Sequence, residues 1–149
     1  ILYISSSSLK ARAYFGLLKE YISWQEKHIP KQIIESIAAK VEKVTPFFVF
    51  IVTGSYAKHT QKKQSDLDIT IICDNNVNPK KIMAEISLES SLSIPKVHPF
   101  VFTKNEFLEM LLNDELNYGK EISKNNLIFY GGENYYGILN GAIKNGFRG

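Results

Sequence analysis

Two apolar runs flanking one polar loop constrain this chain more than any other feature. From Thr45 to Asp74 it reads TPFFVFIVTGSYAKHTQKKQSDLDITIICD. The β-branched and aromatic run from Phe47 to Val52 predicts a buried strand ending at Gly54. SDLDITIICD predicts a second strand, with Asp66, Asp68 and Thr70 on one face and Leu67, Ile69 and Ile71 on the other. Like charges on one face repel unless a cation lies between them. The period-two repeat separates the two aspartates by roughly 7 Å at Cα, so both carboxylates can turn toward one divalent ion. Gly54 permits a sharp turn or a close ligand approach. Ser55 and the amides after it can donate to phosphate oxygens. Mg²⁺ takes one or two carboxylates together with substrate phosphates. The pattern is therefore workable as a metal–nucleotide site suited to nucleotidyl transfer. The plain alternative is a loop that ends in a solvated strand start.

The rest of the chain predicts what surrounds these strands. Tyr14, Phe15, Leu17, Leu18, Tyr21 and Ile22 recur at helical spacing behind four serines, one of which can cap the helix. A second helix starts at Pro30 and carries Ile33, Ile34, Ile37, Ala38 and Val41 on its apolar face. Asn78-Pro79 opens a helix that buries Ile82, Met83 and Ile86. A third strand spans Val97 to Phe102, where Pro99 points to an edge or a bulge. Thr103 and Glu106 form a capping box before Phe107, Leu108, Leu111 and Leu112. NNLIFYGGE reads as a short strand or extended turn, and NYYGILNGAIKNGF as a last helix. Helices first, then strands interleaved with helices, predict a small α+β (α/β-like) domain: one mixed β-sheet flanked by helices. The expected organisation is an N-terminal helical segment, residues 1–44, packed on a domain of residues 45–149, with the whole forming one globular unit.

The 149 residues suit one domain, and 44% hydrophobic with 22% charged residues excludes a disordered chain. A net charge of +3 favours polyanionic partners without identifying nucleic acid. The single cysteine, Cys73, excludes an internal disulfide and a cysteine-cluster metal site, and it suits a reducing, cytoplasmic setting. The apolar run PFFVFIV is too short to span a bilayer, and no signal-peptide pattern is read at the start. The chain begins with Ile rather than Met, so further residues are expected to precede it.

GSYAKHTQKKQSDLDITII resembles the signature of the DNA polymerase β-like nucleotidyltransferase superfamily, in particular its minimal nucleotidyltransferases. These carry Gly-Ser, about ten residues, then Asp-x-Asp on a strand; here ten residues separate Ser55 from Asp66. KVHPFVFTKNEFLEML and EISKNNLIFYGGENYY are similar to downstream parts of small prokaryotic members, so the resemblance covers roughly residues 45 to 135. It implies that Gly54 and Ser55 bind a nucleoside triphosphate, most often ATP, and that Asp66 and Asp68 hold Mg²⁺. It also implies a palm-like fold with a small mixed sheet. The chain departs from the family twice. Lys58-His59 stands where members often have Arg-Gly, so Lys58 keeps the charge for phosphate without the two-pronged grip. His98 occupies the aligned position of the third carboxylate, which is typically the general base for the acceptor hydroxyl. Histidine can also accept a proton or bind a metal. Glu85 and Glu89 are expected on a helix surface.

Two functions follow from this resemblance. The first is Mg²⁺-dependent transfer of a nucleoside monophosphate to a hydroxyl of a protein, an RNA or a small molecule. The second is a catalytically impaired binding module, such as an antitoxin-type partner of a small helical toxin; a homo-oligomer is also open. Lys62 and Lys63 read equally as polyanion contacts or as a solvated loop. His28 is expected at the surface, and Cys73 in the core. Trp24 is expected either to anchor the first helices or to face a partner. FYGGENYYG suits turn and packing duty better than base stacking.

Overall fold

The computed structural model describes residues 8–149. In chain order the elements are α1 (Leu9–Gln25), α2 (Lys31–Glu42), β1 (Phe48–Val52), α3 (Gly54–Ala57), β2 (Leu67–Cys73), α4 (Pro79–Leu92), β3 (Val97–Thr103), α5 (Lys104–Leu112), α6 (Tyr118–Lys124), β4 (Leu127–Tyr130) and α7 (Gly132–Lys144). The four strands form one mixed sheet in the order β3-β2-β1-β4. β1 is antiparallel to both β2 and β4, while β2 and β3, joined through α4, are parallel.

Every residue of β1 is buried, because β1 is a central strand covered on both faces. Phe48, Phe50 and Val52 belong to one core with Ile34, Ile37 and Val41 of α2 and Ile82 and Ile86 of α4. Val49 and Ile51 belong to a second core with Phe107 and Leu111 of α5, Ile122 of α6, and Tyr135 and Ile138 of α7. The unbroken apolar run and the period-two pattern of β2 therefore describe the same sheet. Pro99 lies in β3, an edge strand, as its missing N–H requires.

The helix ends follow their caps. Ser8 Oγ accepts from Ala11 N at 3.2 Å, and Asn78 Oδ1 accepts from Lys80 N at 3.0 Å ahead of Pro79. The Thr103–Glu106 box is reciprocal, with bonds of 3.2 and 2.7 Å. Helix α6, which the sequence pattern does not announce, starts at Asn117, whose side chain accepts from Lys120 N at 3.1 Å.

Helix α1 differs most from its pattern. Tyr14, Leu17, Leu18, Tyr21 and Ile22, which set the apolar period, are exposed, and the helix buries Gly16 and Ser23. A Cβ on Gly16 would come within 2.4 Å of Glu133 N, so α1 lies backbone to backbone on the start of α7. Small size, rather than hydrophobicity, selects that face. Trp24 is an anchor: its Nε1 donates to the Phe129 carbonyl at 3.0 Å, and its ring meets Phe129 edge-on. Met83 is a correction to the expected core of α4, since it lies at the exposed margin while Ile82 and Ile86 are fully buried. FYGGENYYG serves turn and packing: Gly131 takes φ +75°, Gly132 abuts Gly16, and Tyr135 is buried. Cys73 is buried, with its thiol pushed up to about 11 mainly by burial, as suits a core residue.

Candidate active site

Register builds the site. The β1–β2 pairing extends one step past Val52, and Thr53 N donates to the Asp68 carbonyl at 2.9 Å. The next residue, Gly54, turns the chain into α3 with φ +63°, a left-handed backbone conformation. Space restricts the position as well. A Cβ on Gly54 would fall 2.1 Å from Asp68 Oδ2, closer than any real contact. Glycine thus lets the turn lie directly against the Asp68 carboxylate.

On the other side, parallel pairing puts Asp68 beside His98 of β3. His98 Nδ1 is 3.3 Å from Asp68 Oδ1, with side-chain exposures of 61% and 30%. Both groups are therefore reachable from solvent. Asp66 is exposed just ahead of β2 and close enough for its charge to add to the burial that raises the Tyr56 phenol above its ordinary value.

Helix α6 floors the site. Tyr118 Oη is 2.9 Å from Thr53 Oγ1 and 3.2 Å from Thr70 Oγ1. The His98 and Phe100 rings are 4.7 Å apart, and those of Phe100 and Tyr118 4.5 Å. Burial raises the Tyr118 phenol, the Asp68 charge adds to this, and the two threonine hydrogen bonds oppose it. With its hydroxyl engaged at Tyr118, Thr53 gives α3 no side-chain cap.

Lys58 Nζ pairs with Glu121 of α6, and this contact is the main reason the Glu121 carboxyl is held below its ordinary range. Lys62 and Lys63 are exposed in the following loop. Glu85 pairs with Lys43 at 3.2 Å. His28, expected at the surface, retains only 21% side-chain exposure because its ring stacks on Tyr56.

Gly54, Asp68 and His98 are thus brought together, Ser55 follows in the same turn, Asp66 stands at the rim, and Lys58 is turned toward Glu121. The sequence pattern does not bring out Thr53, Thr70, Tyr118, Phe100 or Glu121. Asn117 is the one local signal that bears on α6, since it is a capping residue. Asp68, lying against the Gly54 turn, and the exposed Asp66 just ahead of β2 offer hard oxygen donors of the kind that Mg²⁺ takes together with water and phosphate.

The family profile described as Polymerase beta, Nucleotidyltransferase matches residues 31–134. No curated protein matches the chain. Among solved structures, a crystal structure of a toxin–antitoxin with AMP-PNP is similar, with a TM-score of 0.51 and 11% identity. The similarity covers 78% of this chain and 88% of that one, and it shows a shared fold.

Proposed function

The chain belongs to the polymerase β nucleotidyltransferase family, and from that premise we propose that it transfers a nucleoside monophosphate from an NTP, ATP foremost, to an acceptor hydroxyl. The observation that carries this reading is the close approach of the Gly54 turn to Asp68, with His98 on the carboxylate's other side. Gly54 and Ser55 seat the triphosphate. Lys58 exchanges Glu121 for a phosphate oxygen. Asp66 and Asp68 would hold Mg²⁺, which when bound neutralises phosphate charge.

Asp68 has a second role, toward His98. A carboxylate accepting from Nδ1–H fixes the tautomer and leaves the Nε2 lone pair free. Nε2 then takes the proton of the acceptor hydroxyl while that oxygen bonds to the α-phosphorus and pyrophosphate leaves. Positioning and charge neutralisation supply most of the rate. The setting is cytoplasmic, consistent with one buried, unpaired thiol.

A second reading rests on a different observation, the exposed apolar face of α1 formed by Tyr14, Leu17, Leu18, Tyr21 and Ile22. Here the domain at residues 45–149 is an impaired nucleotidyltransferase, and α1 of the N-terminal helical segment presents a surface to a protein partner. The fold shared with a toxin–antitoxin structure adds to this reading, with a toxin-type partner. Label transfer from α-phosphate-labelled ATP to protein, RNA or small-alcohol acceptors separates the two. Mg²⁺-dependent labelling that His98→Ala slows supports the enzyme. NTP binding with no labelling of any acceptor supports the binding module.

A further inference from the structure

Another set of ligand-type side chains gathers just beyond α3. Glu26 and His28 come from the α1–α2 connection, and His59 follows Lys58. One potential ligand atom from each lies within 4.8 Å of the other two. His28 Nδ1 is 3.3 Å from Glu26 Oε2, and His59 Nε2 is 3.9 Å from Glu26 Oε1. The two imidazole rings are 4.6 Å apart.

The remaining nitrogen of His28 determines which atom is offered. Nε2 is 3.0 Å from the Tyr56 carbonyl, and a carbonyl only accepts, so Nε2 carries a proton. A neutral ring then turns its Nδ1 lone pair toward the Glu26 carboxylate, so a proton or a metal ion is needed between the two. A backbone carbonyl on the distal nitrogen is also the usual support of a metal-bound histidine. His59 completes the set. Among the described residues it is the non-glycine residue with positive φ, at 56°, a left-handed conformation that histidine tolerates better than most side chains. Its ring is thereby held beside Glu26 and His28.

We propose that Glu26, His28 and His59 bind a divalent first-row transition metal of the Zn²⁺ class, at a position separate from Asp66 and Asp68. Two imidazoles and one carboxylate are a donor set that zinc accepts, with water in the fourth place. The three side chains are 26%, 21% and 56% exposed, so an ion can enter and His59 can move. Closing the set to the roughly 3.3 Å ligand spacing of a tetrahedral zinc site takes small side-chain shifts. The ion would tie the α1–α2 connection to the segment that follows the Gly54–Ser55 turn.

The test is a Co²⁺ titration followed by visible d–d absorption, with Zn²⁺ as the displacing ion. It is run on the full chain, on Asp66→Asn/Asp68→Asn, on Glu26→Gln and on His59→Asn. Asparagine tolerates the left-handed backbone, so His59→Asn is expected to keep its fold, checked by circular dichroism. The expected result is a band that saturates at one equivalent, is displaced by Zn²⁺ and persists in the double aspartate variant. Glu26→Gln and His59→Asn, both folded, are expected to weaken Co²⁺ binding at least about tenfold. The proposal is overturned by the lack of a saturable band, by its loss in the aspartate variant, or by unchanged affinity in both Glu26→Gln and His59→Asn.

Discussion

Gly54 is the residue at which conformation and site chemistry are most tightly joined, and the two can be separated by mutation. Gly54→Ala places a methyl 2.1 Å from Asp68 Oδ2 and 3.0 Å from its Cγ, at φ +63°. The left-handed backbone costs about 1–2 kcal/mol for a Cβ-bearing residue. Rotating Asp68 away adds about 0.5–1.5 kcal/mol. The reduced entropy of the unfolded chain offsets about 0.4–1 kcal/mol. The net loss is about 2 kcal/mol, within the stability of an ordinary domain, and lowers Tm by roughly 4–8 °C. Nucleotide handling is expected to suffer far more, because a displacement of about 1 Å at a reacting centre can cost about a hundredfold. Gly54→Asn divides the effect, since asparagine accepts positive φ but still carries a Cβ. It is expected to recover most of the lost Tm and none of the Mg²⁺-dependent NTP stabilisation. The assay is thermal unfolding of both variants with and without Mg²⁺-ATP. Full ATP stabilisation in Gly54→Asn would refute the steric reasoning.

Four further outcomes are expected. Tyr118→Phe removes the hydroxyl shared by Thr53 and Thr70 and is expected to lower urea-unfolding stability by about 1–2 kcal/mol. Gly16→Ala forces a methyl to 2.4 Å from Glu133 N; a net loss of about 1–3 kcal/mol is expected in the same assay, despite alanine's better helix propensity. Glu121→Gln frees Lys58 and is expected to tighten ATP binding severalfold by calorimetry, with unchanged or weaker affinity counting against Lys58 as a phosphate ligand. Alkaline pH tests two partly buried phenols. Burial raises Tyr118 above the ordinary 10.0 and Tyr136 to about 12, so their contribution is full below pH 10.0 and lost as the pH rises toward the folded-state values. The unfolded chain releases its protons first. Tyr136→Phe is expected to flatten the fall in urea midpoint across that window.

Legibility followed the range over which each feature is determined. The strands Phe48–Val52 and Leu67–Cys73 were readable because a strand covered on both faces reads as an apolar run, and the start of β2 alternates where Asp68 faces the site. A serine cap before α1 and the caps at Asn78 and Thr103 were readable because they are local hydrogen bonds; the structure shows that the serine is Ser8. The Gly-Ser and Asp-x-Asp spacing located the turn and the carboxylate strand, and Pro99 narrowed β3 to an edge or a bulge, of which the structure shows the edge. What stayed hidden depends on distant partners. Tyr118 reaches Thr53 across 65 positions in the chain, and no local pattern announces that bond. Helix α1 showed an apolar period that proves to be exposed, because its packing uses Gly16 against Gly132 rather than a hydrophobic stripe. His28 looked like a surface residue because its partner, Tyr56, comes from another element.

The central claim, a nucleotide site built on Gly54, Ser55, Asp66 and Asp68, is tested most directly by thermal unfolding with each of the four NTPs. It is run with and without Mg²⁺, on the unmodified chain and on Asp66→Asn/Asp68→Asn. A ligand at about a hundred times its Kd adds roughly 2.7 kcal/mol, or roughly 5–11 °C for a domain of this size. The expected result is a Mg²⁺-dependent rise of that order, largest for ATP and lost in the double variant. No rise with any NTP, or an equal rise in the variant, would contradict the assignment.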